Sequence, residues 1–282
     1  MSFGVEHRDV VIQSGVRLHW LEAGSGRPLV MIPAWSQTAA TFRHQFDALS
    51  EVRRVMALDM RGHGESSKPE GGYRIGRLAI DLAEFLDVVG LDDVDLLGHS
   101  MGCAVIWSYF DLFGGSKVSQ FVNVDQSRRM TGRPDWSEEE CRIRGCLFWD
   151  VDDVDAYLKT FPSVADVESK ADAMAGMFTT EIPRGELEWI AAENLKMPRP
   201  AAADLQYDNA LSDWTTAIQA IDVPTLVVSG KASFFSTESQ QWIADQIPGA
   251  EHVVFEADEG GSHFMFWENP DKFNAVLTDF LQ

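Results

Sequence analysis

Basic side chains are scarce in this 282-residue chain. Its 23 Lys and Arg face 44 Asp and Glu, a formal net charge of −21. That balance argues against nucleic acid and against an anionic membrane surface as partners, because both are bound through basic patches that displace counterions. Cysteine is nearly missing. The three present, Cys103, Cys141 and Cys146, are too few and too unevenly spaced for a disulfide framework or a zinc ribbon. They read as reduced, mostly structural thiols, which points to the cytoplasm. No run reaches the ~18 apolar residues of a membrane span. The opening Met1-Ser2-Phe3-Gly4-Val5-Glu6-His7-Arg8 lacks the charged-then-apolar layout of a secretory signal. There is no HExxH, no dinucleotide-type GxGxxG and no P-loop, so no metal and no cofactor is expected. What remains is an ordinary globular composition, 45% hydrophobic and 24% charged, in a chain able to bury roughly three-quarters of its unfolded surface. A homodimer is compatible with it.

Over the first 125 or so positions, strand-like and helix-like runs alternate. Val10 to Gln13 and Leu18 to Glu22 flank the turn pair Ser14-Gly15 and predict an opening hairpin. Short continuous apolar runs follow at Pro28 to Ile32, Arg54 to Asp59, Val94 to Gly98 and Phe121 to Asp125, as suits strands buried on both faces of a parallel sheet. Between them, Ile75, Leu78, Ala79, Leu82, Phe85, Leu86 and Val89 recur at helical spacing, with Gly90 as the stop. From about Arg128 to Ala220 helical patterns follow one another, scattered with Trp136, Phe148, Trp149, Met174, Met177, Phe178, Trp189 and Met197. Alternation then resumes with a strand from Pro224 to Ser229, a helix from Glu238 to Gln246 and a strand from Val253 to Glu256. A last helix opens at Pro270, capped by Asn269. The pattern predicts an α/β core of residues 1–127 and 221–282, with a mostly parallel, doubly wound sheet, interrupted by a helical cap of residues 128–220.

The sharpest chemical signal is Gly98-His99-Ser100-Met101-Gly102, set between a buried strand and an apolar helix. A serine wedged into so tight a turn is strained, with its hydroxyl exposed at the sheet's edge, and the flanking glycines avoid a Cβ clash. The helix that starts there aims N–H groups and a positive dipole end at a developing oxyanion. Ser100 is therefore the candidate nucleophile; the same pattern is also met as a structural turn with an inert serine. Of seven histidines, His263 stands in the glycine-rich stretch Glu259-Gly260-Gly261-Ser262-His263-Phe264 between the last strand and the last helix. In a doubly wound sheet that loop lies over the carboxyl edge, which makes His263 the candidate base. His99 is expected to point away from the nucleophile and pack. His63 belongs to a structured loop, and His7, His19, His44 and His252 are read as structural.

Together with Asp59-x-Arg61-Gly62-x-Gly64-x-Ser66, Pro224-Thr225-Leu226-Val227-Val228-x-Gly230 and Glu268-x-Pro270, these motifs resemble the α/β-hydrolase fold superfamily with a helical cap, over nearly the whole chain. The family usually places its acid about three residues beyond the strand that ends at Gly230. Here that stretch is Lys231-Ala232-Ser233-Phe234-Phe235, without a carboxylate. Some relatives carry the acid at the end of the preceding strand, where this chain has Asp125; the resemblance thus implies Asp125 as the orienting acid, with Asp258 and Glu259 as runners-up. It also implies the N–H of Met101 as one oxyanion donor. The N–H of Trp35, in Pro33-Ala34-Trp35-Ser36-Gln37 where relatives commonly show His-Gly, is the expected second.

The function so implied is a serine esterase or lactonase acting on a small to medium hydrophobic substrate. Two other chemistries use the same scaffold: cofactor-free 2,4-dioxygenases of N-heteroaromatic rings, and perhydrolases or non-haem haloperoxidases. Asp125 and Trp35 fit the dioxygenases, whereas Gln37 stands where they place a histidine. A ligand-sensing receptor on this fold has no positive support in the residues.

Overall fold

In the computed structural model, the apolar runs of the sequence become the middle of one sheet. Residues 4–160, 166–179 and 182–282 are described; Met1 to Phe3 of the opening segment, and residues 161–165 and 180–181 of the expected cap, lie outside them. The strands are β1 (Glu6–Val11), β2 (Arg17–Ala23), β3 (Pro28–Ile32), β4 (Arg54–Asp59), β5 (Val94–His99), β6 (Val118–Val124), β7 (Thr225–Gly230) and β8 (Glu251–Phe255). They lie side by side in the order β1-β2-β4-β3-β5-β6-β7-β8. β2 is antiparallel to both β1 and β4; all pairings from β4 through β8 are parallel. β5 and β7 are buried at every position, as expected of central parallel strands covered on both faces.

The first strand departs from expectation. It runs over Glu6–Val11 and not Val10–Gln13, because its exposed charged residues carry no hydrophobic period. It is held by backbone pairing from Glu6↔Glu22 to Val11↔Arg17. A charged edge also discourages pairing with another sheet.

Helices α1 (Arg43–Leu49), α2 (Ile75–Val89) and α3 (Met101–Phe113) follow β3, β4 and β5. The α2 stripe is buried from Ile75 to Leu86, and Gly90 ends the helix at φ 70°, a left-handed conformation that strains any residue with a Cβ. Between β6 and β7 stand α4 (Glu138–Ile143), α5 (Val151–Leu158), α6 (Val167–Ala175), α7 (Arg184–Leu195), α8 (Arg199–Leu211) and α9 (Thr215–Gln219). Among the described residues this stretch has no strand, only one isolated bridge, Thr131 to Phe148. α10 (Thr237–Gln246), α11 (Met265–Glu268) and α12 (Pro270–Phe280) complete the chain. Asn269 Oδ1 accepts the Lys272 N–H at 3.3 Å at the start of α12, the cap that the sequence predicts.

Two apolar layers hold the sheet. α2 and α3 pack on one face around Leu82, Phe85 and Trp107. α1, α11 and α12 pack on the other around Phe42, Phe266 and Phe273, joined there by Ala171, Met174 and Ile190 of α6 and α7. At the far end of the strands a buried charge is paired: Asp95, at the start of β5, meets Arg53 and, at 3.1 Å, Arg27. The three cysteines are free thiols, two of them buried. Among the described residues, no helix is long and apolar enough to cross a membrane.

Candidate active site

The turn after β5 is built around Ser100, whose φ of 53° and ψ of −125° lie outside the ordinary range of a residue with a Cβ. Its N–H donates to Val124 O at 2.8 Å, and its carbonyl accepts the Cys103 N–H at 2.8 Å. These bonds tie the turn to β6 and open α3. A Cβ at Gly102 would stand 2.2 Å from Ile32 O, and one at Gly98 would stand 2.6 Å from Cys103 N. Both glycines are therefore required by close approach of backbone. Met101 N–H is the first of the helix and has no carbonyl four residues back within it.

β6 ends one residue before Asp125, which adopts φ 52° and is wholly buried. His263 comes from the loop between β8 and α11, which lies against the end of β7: a Cβ on Gly230 would fall 2.2 Å from Gly261 O. This approach brings the two predicted residues together. His263 Nδ1 donates to Asp125 Oδ2 at 2.6 Å. The runners-up are elsewhere. Asp258 is exposed, and Glu259 is bound to Lys272 and the Glu256 N–H.

Sequence reasoning missed Ser233. Its hydroxyl donates to the same Asp125 Oδ2 at 2.5 Å, and it occupies the position three residues beyond Gly230 where the sequence shows no carboxylate. The signal was the spacing alone; the contact joins residues 108 positions apart.

Burial opposes charge on both members of the pair. It pulls the His263 imidazolium down from 6.5 to about 3, so the ring is neutral near pH 7. It pushes the Asp125 carboxyl up, against the Ser233 hydroxyl, which favours the ionised form. With two donors converging on Oδ2, the working state is a carboxylate facing a neutral imidazole that keeps its proton on Nδ1. A base that must be neutral is fully competent above its pKa and is lost as pH falls through it. The acid limb of kcat/KM is accordingly expected below pH 6.5, with no decline between pH 7 and about 5.5. A midpoint above 6.5 in a pH–rate profile would instead show that the Asp125 carboxylate outweighs burial and raises the imidazole.

His99 packs beneath this pair, as expected. Its Nε2 donates to His263 O at 2.9 Å, and the two rings stand 4.7 Å apart. His63 steadies the opposite loop: its Nε2 accepts the Ser36 N–H at 3.1 Å while Nδ1 donates to Arg61 O at 3.0 Å. Burial lowers His63 to about 4, in keeping with an unprotonated acceptor nitrogen. The loop is also tied to the helices above it. Trp35 Nε1 donates to Ala202 O at 2.8 Å, Thr38 Oγ1 to Glu193 Oε2 at 2.6 Å and Arg199 Nη2 to Ser36 Oγ at 3.1 Å.

Ser100, His263, Ala34 and Trp35 line a cavity of ≈ 340 Å³. Residues between β6 and β7 also line it, among them Met130, Leu147, Phe148, Tyr157, Met174 and Met177. Composition did not reveal which tryptophans would take part. Trp149 is 49% exposed, and Trp189 stacks on Trp267 at 5.5 Å; neither lines the cavity. The wall residue to trim is Phe148. Phe148→Ala is expected to shift the acyl-chain optimum of a p-nitrophenyl ester series toward longer chains, by about tenfold in relative kcat/KM. An unchanged profile would remove Phe148 from the wall.

Among the described residues, no group of three or more His, Cys, Asp or Glu could hold a metal ion.

The family model for the alpha/beta hydrolase fold matches residues 27–270. An epoxide hydrolase A from Mycobacterium tuberculosis (strain ATCC 25618 / H37Rv) is 39% identical over 326 aligned positions, covering 99% of this chain and 98% of that one. A soluble epoxide hydrolase from Corynebacterium sp. (strain C12) is 38% identical over 125 residues, 44% of this chain and 43% of that relative, so the chain spans less than half of its length. Among solved structures, the esterase EaEST from Exiguobacterium antarcticum superposes with a TM-score of 0.87 at 24% identity, covering 98% of this chain and 99% of the other.

Proposed function

The chain belongs to the alpha/beta hydrolase fold family, and on that premise we propose that it is a serine hydrolase that cleaves carboxylic esters or lactones through an acyl-enzyme on Ser100. The observation that carries the reading is the 2.6 Å contact of His263 Nδ1 with Asp125 Oδ2, beside a cavity that both His263 and the strained Ser100 line.

In this reading Ser100 Oγ attacks the carbonyl carbon while His263 Nε2 takes its proton. Asp125 holds the ring in the tautomer that leaves Nε2 free to accept, and stabilises the imidazolium that forms. The tetrahedral oxyanion is met by the N–H of Met101, at the positive end of α3, and by that of Trp35; one such donor is worth about 2.7–4 kcal/mol in the chemical step. His263 then protonates the leaving alkoxide. It next activates water, which attacks the acyl carbon and frees Ser100.

The nucleophile distinguishes this chemistry from that named for the epoxide hydrolases. A carboxylate opening an epoxide gives an ester, which water can cleave. A serine opening an epoxide gives an ether, which has no carbonyl to attack and would end the cycle. Ser100 therefore favours a carbonyl substrate. The apolar wall of Met130, Leu147, Phe148 and Met174 suits a hydrophobic acyl or aryl group.

The test is a screen of p-nitrophenyl esters of graded length and aryl lactones, run beside hydroxyquinolones with oxygen monitored. Ester or lactone turnover without oxygen uptake is expected. Oxygen consumption with release of carbon monoxide would replace the reading by a cofactor-free dioxygenase, and turnover only with added peroxide would replace it by a perhydrolase.

A further inference from the structure

α6 sets an ammonium group against the cavity. Lys170 is half-buried in its wall, with Nζ 5.3 Å from the centre of the Trp35 ring. Lys117, Lys196, Lys231 and Lys272 each sit within 3 Å of a carboxylate oxygen. Lys170 forms no ion pair among the described residues, although the chain has 44 acidic side chains to offer. The charge that acts on it has the same sign. Burial first, then the Arg199 guanidinium, lower Lys170 to about 8. Arg199 is itself engaged by Ser36 Oγ and the carbonyls of Asn194 and Met197.

The same wall holds two carboxamides, Gln37 and Gln206, which are 2% and 6% exposed. Each has an oxygen buried without a hydrogen-bond partner, an acceptor that a hydroxyl or N–H of a ligand would complete and a carboxylate would not. A half-desolvated cation that has a second cation acting on it and no ion pair among the described residues is costly unless an anionic ligand completes it.

We propose that the cavity takes substrates bearing a carboxylate on the portion that fills its cap side, with Lys170 as the counter-ion. The place of this subsite in a reaction rests on the ester or lactone reading of Ser100. It makes Lys170 a specificity-determining residue: an anionic end held there uses binding energy remote from the scissile bond to position the carbonyl at Ser100. The charge is local, set within a chain of net charge −21. The apolar residues around it restrict the class to amphipathic acids, in which a short hydrocarbon segment separates the carboxylate from the ester or lactone.

The test pairs two esters of equal acyl length, p-nitrophenyl hydrogen glutarate and p-nitrophenyl pentanoate, on the wild type, Lys170→Met and Lys170→Arg. Lys170→Met is expected to lower kcat/KM for the glutarate ester by about 10- to 100-fold, through KM, while the pentanoate changes less than about twofold. Lys170→Arg should restore most of the loss. Equal losses on both esters, or no preference to lose, would overturn the proposal. A second arm titrates glutarate into Ser100→Ala, with and without Lys170→Met, by calorimetry. Binding that the lysine variant leaves unaltered would also overturn it. If neither ester turns over but glutarate binding still depends on Lys170, the hydrolase reading fails and the carboxylate subsite stands.

Discussion

Replacing Ser100 by alanine is expected to lower kcat on any ester that the wild type turns over by about a millionfold. The hydroxyl is presented by a backbone at φ 53°, held there by the Val124 and Cys103 bonds on either side. Alanine fits the same backbone, so the fold should persist and the melting temperature should change little. What disappears is the only group in the turn able to form and release an acyl bond. Initial rates at saturating p-nitrophenyl ester, with thermal melts alongside, check this. Residual activity within a hundredfold of wild type would show that water, and not Ser100, attacks the carbonyl.

The second large effect belongs to Asp125. Asp125→Asn is expected to lower kcat by about ten-thousandfold with the fold retained. An amide at this position can turn its NH₂ toward His263 Nδ1. The ring then carries its proton on Nε2, the nitrogen that must receive one from Ser100. Ser233, whose hydroxyl donates to the same Oδ2 in the wild type, can rotate to accept from that NH₂ and so does not prevent the turn. Near-normal turnover in Asp125→Asn, with collapse in Asp258→Asn or Glu259→Gln, would relocate the acid. The distances make that outcome unexpected, since Glu259 is held by Lys272.

The parts of this site legible in the sequence are those fixed by local rules. Gly98 and Gly102 announce a backbone approach, Ser100 stands between a buried strand and a helix, and His263 stands in a glycine-rich loop. Asp125 was legible through the resemblance, from the missing carboxylate after Gly230. The parts not legible depend on long-range direction. Ser233 meets Asp125 only because β6 and β7 are neighbours. Trp149 and Trp189 carry the composition of a pocket wall, yet one faces solvent and the other packs on Trp267. Which side of a short helix faces inward is decided by its partners, and not by its own period. β1 was displaced for a related reason, since Glu6 to Asp9 form a strand through pairing with β2 and bury almost nothing. Lys170 reads in sequence as one more solvated lysine among the helices; only the assembled wall shows it without a carboxylate.

Covalent chemistry at Ser100 is what the proposed hydrolysis requires first. The measurement is mass spectrometry of the intact protein after brief incubation with a fluorophosphonate or an arylsulfonyl fluoride, followed by peptide mapping. The expected result is a single adduct on Ser100, formed in the wild type, strongly slowed in Asp125→Asn and missing in Ser100→Ala. An adduct elsewhere, or an unlabelled Ser100 under conditions that label a known serine esterase, would contradict it.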